Sequence, residues 1–158
     1  MKPMKHVVVA TDFSDIAEHA LDRAVSLAAQ LGASITIVHS YELPMLSLPD
    51  GVVVATAEMM VTIVAAAQQH LDKTVKRLAE QGVTVKSVLR SGVPWEEIND
   101  VAHAESADLI VIGTHGRRGL ARALMGSVAE RVVRTSKLPV LVVPIELPGD
   151  TVPPKPAK

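Results

Sequence analysis

The sequence predicts an α/β fold: a single-domain, doubly wound, five-stranded parallel sheet with helices on both faces. Three observations carry this. Five short runs, residues 5–10, 35–39, 83–89, 107–112 and 140–143, are each a largely unbroken apolar stretch, the pattern of parallel strands buried on both faces. Helical patterns alternate with them, as crossover connections require. The length of 158 residues suits one domain with a sizeable core.

The first strand, Lys5 to Ala10, is broken by Thr11-Asp12-Phe13-Ser14, and Ser14 is placed to cap the next helix. Ile16, Ala20, Ala24, Leu27 and Leu31 then recur at three- and four-residue steps, the helical period. Gly32 ends that helix as a C-cap. Ile35 to His39 is the second strand. Tyr41 to Val54 carries Pro44, Pro49 and Gly51 and reads as a covering loop. A long helix runs from about Thr56 to Gln81 on the stripe Met60, Ile63, Val64, Ala67, Leu71, Val75 and Leu78, and Gly82 stops it. Val83 to Leu89 is the third strand. After the Ser91-Gly92-Val93 turn, Pro94 suits the first position of a short helix, with Glu96 and Glu97 in its first turn. Ala107 to Ile112 is the fourth strand. A helix from Ser127 to about Ser136 has Arg131, Arg134 and Lys137 toward its negative end, and Val140 to Val143 is the fifth strand. The domain spans residues 1–146, and the Pro- and Lys-rich residues 147–158 read as a flexible tail.

Composition narrows the function. Hydrophobic residues make up 48% of the chain, but Phe, Tyr and Trp occur once each, so the core is aliphatic. The net charge of −1 and the lack of a basic stripe argue against nucleic acid as a partner. With no cysteine, disulfides, thiolate catalysis and Cys-ligated metals are excluded. The histidines show no metal-type pairing. The stretch Val52 to Ala67 contains Glu58 and falls short of the roughly 20 apolar residues that span a bilayer. Val7 to Ala10 is too short for a signal-peptide core. A soluble cytoplasmic protein without a membrane partner is expected.

The residues most suggestive of chemistry follow the fourth strand: Gly113-Thr114-His115-Gly116, a nine-residue spacer, then Gly126-Ser127. These glycines fall where a strand ends and a helix begins. There, backbone N–H groups and the positive helix end can hold a phosphate. A plainer reading gives Gly113 and Gly116 only a positive φ in a tight turn. Ser127 and Glu130 also match a capping box. Asp12, at the end of the first strand, shares the predicted crevice and suits a ribose hydroxyl or a metal. Arg117, Arg118 and Arg122 flank the glycines; we count Arg117 among the binding residues. His115 reads as polar surface, Trp95 as packing for the short helix, and Met45, Met59 and Met60 as fillers of apolar gaps.

Sharper enzyme motifs are missing. The chain has no Walker A lysine, no Gly-x-Gly-x-x-Gly and no Gly-x-Ser-x-Gly. Nothing near the glycines is an evident general base, so the sequence supports at most slow hydrolysis.

With these residues in view, the chain resembles the universal stress protein family, in its nucleotide-binding branch, over about residues 4–146. The motif Gly-x2-Gly-x9-Gly-Ser is met by Gly113, Gly116, Gly126 and Ser127. Val8 to Ser14 looks like the family's first strand and turn, and Gly92-Val93-Pro94 like its third turn. The resemblance implies strand order 3-2-1-4-5 and homodimers paired through the last strand. It implies ATP, with or without Mg²⁺, as the ligand. Gly113, Gly116, Gly126, Ser127 and Val128 would hold phosphates and ribose. Ala10, Thr11 and Asp12 would lie by the adenosine, with Ala10 standing where many relatives have Pro. Val38, placed at the end of the second strand, would meet adenine through its backbone, and Ile112 would flank the ribose. Three functions are open: an ATP-binding module that signals through the 41–55 loop or the dimer, a slow ATPase, and an interaction protein with a vestigial site that pairs through Val140–Val143.

Overall fold

The computed structural model describes residues 3–42, 45–48, 51–54, 56–114 and 125–144. The chain runs β1 (His6–Ala10), α1 (Asp15–Leu31), β2 (Ser34–Tyr41), β3 (Met45–Leu48), β4 (Gly51–Val54), α2 (Ala57–Glu80), β5 (Val85–Ser91), α3 (Pro94–Ala104), β6 (Leu109–Gly113), α4 (Ser127–Thr135) and β7 (Val140–Val143). The main sheet has the order β5-β2-β1-β6-β7, all parallel. Counting only its own strands, that is 3-2-1-4-5, the order expected.

One segment departs from the sequence reading. Within 41–54, β3 and β4 pair as an antiparallel hairpin, with Met45 opposite Val54 and Leu48 opposite Gly51. Pro49 lies between the two strands in sequence, outside the described residues. Met-Leu-Ser-Leu and Gly-Val-Val-Val are strand-forming runs on either side of it.

Side chains alternate across the sheet and build two cores. Val7, Val9, Ile35, Ile37, Leu109 and Val111 pack with Ala20, Leu21 and Ala24 of α1 and with Leu71 and Leu78 of α2. On the opposite face, Val8, Ala10, Val38, Ile110 and Ile112 pack with Ile98, Val101 and Ala102 of α3 and with Ala129 and Val132 of α4. Trp95 packs against this second core and carries the Arg131 guanidinium 5.6 Å above its ring.

The caps set the helix ends. Ser14 accepts the Ala17 N–H at 3.2 Å, a bond worth about 1 kcal/mol. Gly32 closes α1 in the left-handed conformation with φ 63°. Pro94 sits in the first turn of α3. Thr56 caps α2 by accepting the Met59 N–H at 3.2 Å.

At the amino ends of the strands, His6 bridges β1 to β2. Its Nδ1 lies 2.6 Å from Ser34 Oγ and its Nε2 3.0 Å from Thr36 Oγ1. Asp108 Oδ2 accepts the Lys5 and His6 N–H groups at 2.8 and 3.2 Å, tying β1 to the start of β6. Lys86 pairs with Glu105 nearby. Burial lowers the His6 pKa from its ordinary 6.5, reinforced by Lys86 and opposed by Glu105 and Asp108.

Candidate functional site at the carboxyl strand ends

The chain winds from β1 outward to β2 and β5 with α1 and α2 on one face. It then crosses on the other face through α3 and lays β6 beside β1. The winding therefore reverses between β1 and β6. Their connections leave toward opposite faces, and a crevice opens beyond their carboxyl ends, where doubly wound sheets take ligands. Ala10, Thr11 and Asp12 reach it from β1, and Ile112, Gly113 and Thr114 from β6.

On the β6 side, Thr114 organises the site. Its N–H donates to the Val143 carbonyl at 3.0 Å, and its carbonyl accepts the Gly126 N–H. The second bond brings the start of α4 to the end of β6 across the spacer. Gly113 and Gly126-Ser127, thirteen positions apart by number, therefore meet. Gly126 is the N-cap of α4, at φ −61° and ψ 150°, and makes no side-chain cap bond. Helix geometry leaves the Ser127, Val128 and Ala129 N–H groups without intrahelical acceptors. Among the described residues, no side chain caps the positive end of α4.

The capping box does not form. Gly126, held by Thr114, takes the N-cap position, which moves Ser127 to the first helical residue. Glu130 turns instead toward Arg134, 3.4 Å away. The Ser127 hydroxyl is exposed and is not used as a cap. Val128 packs its side chain on the second core, so it can offer a ligand only its backbone.

Gly113 is a glycine for a reason invisible in the local sequence. Its φ is not left-handed; the left-handed glycines among the described residues are Gly32, Gly82 and Gly92. A Cβ at Gly113 would lie 2.8 Å from Ile16 Cγ2 and 3.3 Å from the Ile16 carbonyl oxygen. The first turn of α1 packs directly on this backbone.

On the β1 side, Ala10 and Ile112 are buried walls of the crevice, each 6% exposed. Thr11 is buried, and its N–H donates to the Val38 carbonyl at 2.9 Å. Asp12 Oδ1 accepts the Ser14 N–H at 3.1 Å and the Ser14 hydroxyl at 2.6 Å. It therefore shapes the turn at the mouth of the crevice.

Val38 is not at the end of its strand. β2 continues to Tyr41, because Ser40 and Tyr41 pair with Arg90 and Ser91 of β5. Val38 is 1% exposed and its carbonyl is taken by Thr11. Ser40, two residues on and on the same face, is half-buried at the strand end. Alternation along β2 would have pointed to it, had the strand been read to its full length.

Gly116 and Arg117, with His115, Arg118 and Arg122, lie outside the described residues. A groove of about 600 Å³ runs along α4 past Ser127, Arg131 and Arg134; among the described residues it shares Ser127 alone with the crevice. Among the described residues, no three His, Asp or Glu side chains cluster to hold a metal, and no helix is long and apolar enough to cross a membrane.

The fold defines a doubly wound α/β domain with its topological switch point between β1 and β6 and the start of α4 bonded to the end of β6. The Universal stress protein family model matches residues 3–144, and the chain belongs to that family. Universal stress protein MJ0531 of Methanocaldococcus jannaschii is 37% identical over 141 residues, covering 88% of this chain and 81% of that one. The structure of MJ0577 superposes with a TM-score of 0.77 at 26% identity, over 93% of this chain and all of that one. A universal stress protein in complex with cAMP matches with a TM-score of 0.66 at 30% identity, covering 90% of this chain and 98% of that one. The Archaeoglobus fulgidus protein in complex with dAMP matches with a TM-score of 0.61 at 28% identity, over 90% and 98%.

Proposed function

We propose that this chain is an ATP-binding regulatory protein that holds the nucleotide in the crevice between β1 and β6. One observation carries the reading. The N-terminus of α4, without a side-chain cap, is docked by the Gly126–Thr114 bond onto the end of β6, the strand that pairs with β1. An open helix start aimed into a switch-point cleft is a phosphate site by its partial charge and its free N–H groups. The relatives solved with cAMP and dAMP support an adenine nucleotide as the ligand class.

In this proposal the Ser127, Val128 and Ala129 N–H groups and the Ser127 hydroxyl bind phosphate, with Gly113 and Gly126 allowing close approach. Gly116 and Arg117 extend the phosphate contacts. Asp12 takes a ribose hydroxyl, and Ala10, Thr11 and Ile112 wall the nucleoside. Ser40 replaces Val38 as the β2 residue offered to adenine, because it reaches the strand end on the same face. The described residues supply no protein cage for Mg²⁺. The ion would arrive with the phosphates, as Mg²⁺ commonly does, with Asp12 as the carboxylate at the end of β1 that could meet it.

Binding is read out through the 41–55 segment, which leaves β2 beside the crevice, or through a homodimer paired along the β7 edge, where Leu141 is 39% exposed. Hydrolysis, if present, is slow.

Calorimetric titration of nucleotide-stripped protein with Mg-ATP tests this, with Gly126→Val in parallel. The Gly126 backbone angles are allowed for valine, circular dichroism checks that the variant is folded, and its branched side chain is placed to block phosphate approach. Micromolar binding by the parent that is lost in the variant supports the proposal; no binding by the parent removes it. Unchanged amide exchange across 41–55 on saturation would remove the loop as the responder.

A further inference from the structure

Phe13 occupies a backbone conformation that a bulky side chain rarely adopts, with φ +62°. Such residues persist only where their surroundings over-determine them. Within the turn, Thr11 Oγ1 accepts the Phe13 N–H at 3.0 Å, and Asp12 Oδ1 accepts the Ser14 N–H and hydroxyl. From β2, the His39 Nδ1 lies 2.8 Å from the Thr11 carbonyl oxygen. A carbonyl only accepts, so Nδ1 carries the proton and donates. The Phe13 ring stacks against His39, centroids 4.3 Å apart, and against His70 of α2 at 5.0 Å.

We propose that His39 is a positioning residue for the nucleotide site. Its Nδ1–H anchors the Thr11 carbonyl, and its ring seats Phe13. Together they hold the left-handed turn that presents Thr11 and Asp12 to the crevice. Along β2, His39 alternates with Val38 and Ser40 and falls on the face of Ile35 and Ile37, toward α1 and α2. It therefore acts through the turn and does not touch the ligand. The consequence for affinity rests on the nucleotide reading of the crevice; the hold on the turn is a property of the unliganded chain.

The chain has a single phenylalanine, so 4-fluorophenylalanine labelling gives one ¹⁹F resonance, that of Phe13. Three variants are compared with the parent: His39→Leu, His39→Asn, which keeps an N–H near the Nδ1 position, and His39→Gln, which displaces it. Readouts are the ¹⁹F line, exchange of the Phe13 and Ser14 amides, and Mg-ATP affinity by calorimetry. His39→Leu and His39→Gln should shift the ¹⁹F line, speed exchange and weaken binding by roughly three- to tenfold, the scale of one hydrogen bond. His39→Asn should recover most of the protection and the affinity. An unshifted line with unchanged exchange in His39→Leu overturns the proposal, as does a loosened turn with parental affinity. Where His39→Leu fails to fold, identical behaviour of the Asn and Gln variants overturns it. A parent that binds no Mg-ATP removes the nucleotide reading, while the ¹⁹F and exchange comparison still decides whether His39 holds the turn.

Discussion

Replacing Gly113 by alanine puts a methyl group where the structure leaves no room for one. The new Cβ would lie 2.8 Å from Ile16 Cγ2, 3.3 Å from the Ile16 carbonyl oxygen and 3.5 Å from its carbon. Carbon pairs settle near 3.5–4.0 Å, so the methyl pair must separate by ~0.7 Å or more. Ile16 is β-branched and stiff at χ1 in a helix, and its carbonyl belongs to the first turn of α1. The helix start must therefore shift. Gly113 has no left-handed φ, so the backbone adds no penalty and the effect is steric. Overpacking of this kind costs about 1–3 kcal/mol. At roughly 2–4 °C per kcal/mol for a domain of this size, the melting temperature should fall by roughly 2–12 °C in differential scanning calorimetry. Ile16→Ala removes Cγ2 and should make Gly113→Ala cheaper in the double variant. The carbonyl oxygen remains, so relief is partial. Additive single and double variants, or a Gly113→Ala melting temperature within about 1 °C of the parent, would refute the steric account.

Ser127→Ala should change stability in urea by less than about 0.5 kcal/mol, because the hydroxyl caps nothing, yet should weaken Mg-ATP binding; Ser14→Ala should cost about 1 kcal/mol as a lost N-cap. Stability should decline as pH falls below about 6.5, where the unfolded His6 binds protons that burial discourages in the fold. That contribution is fully present above the unfolded pKa and is lost toward the lowered folded one, so His6→Gln should flatten the slope in pH-dependent urea titrations; equal slopes would count against it. Leu141→Lys places a charge on the β7 edge and should shift sedimentation velocity from dimer to monomer; an unchanged mass would remove this edge as the seam.

The centre of the sheet was legible because β1, β6 and the first half of β2 bury both faces, which writes their identity into local apolar runs; the edge strands β5 and β7 are more exposed and were read from their β-branched residues. Strand limits were less so. Ser40 and Tyr41 belong to β2 through pairing with β5, a partner some fifty residues away in sequence, and nothing local marks it. The hairpin at 45–54 was hidden by Pro44, Pro49 and Gly51, whose weight as breakers outran the flanking β-branched residues. At the crevice the motif drew attention to Gly113 and Gly126, but the surroundings of both are tertiary. Gly113 answers to Ile16, ninety-seven positions earlier by number. The Ser127–Glu130 pattern was genuine as sequence, yet Thr114 captured the Gly126 N–H and moved the cap by one residue. Phe13 gave no sign of its left-handed backbone; beyond the bonds within its own turn, its ring meets His39 of β2 and His70 of α2, partners distant in sequence.

The central place of β1 shapes how the chain can be made. It is synthesised before the other strands of its sheet, yet its two neighbours arrive at very different times. β2 follows within about thirty residues and pairs His6 with Ser34. β6 pairs Val7 with Leu109, 102 positions later by number, so that side of β1 stays unsealed until those residues have been added. Through that interval Val7, Val8 and Val9 border an open edge able to accept any passing strand. A nascent chain stalled before residue 109 is therefore a sheet missing its keystone neighbour. Its vulnerability to aggregation during synthesis should exceed that of the finished molecule, in which the same three valines are fully buried.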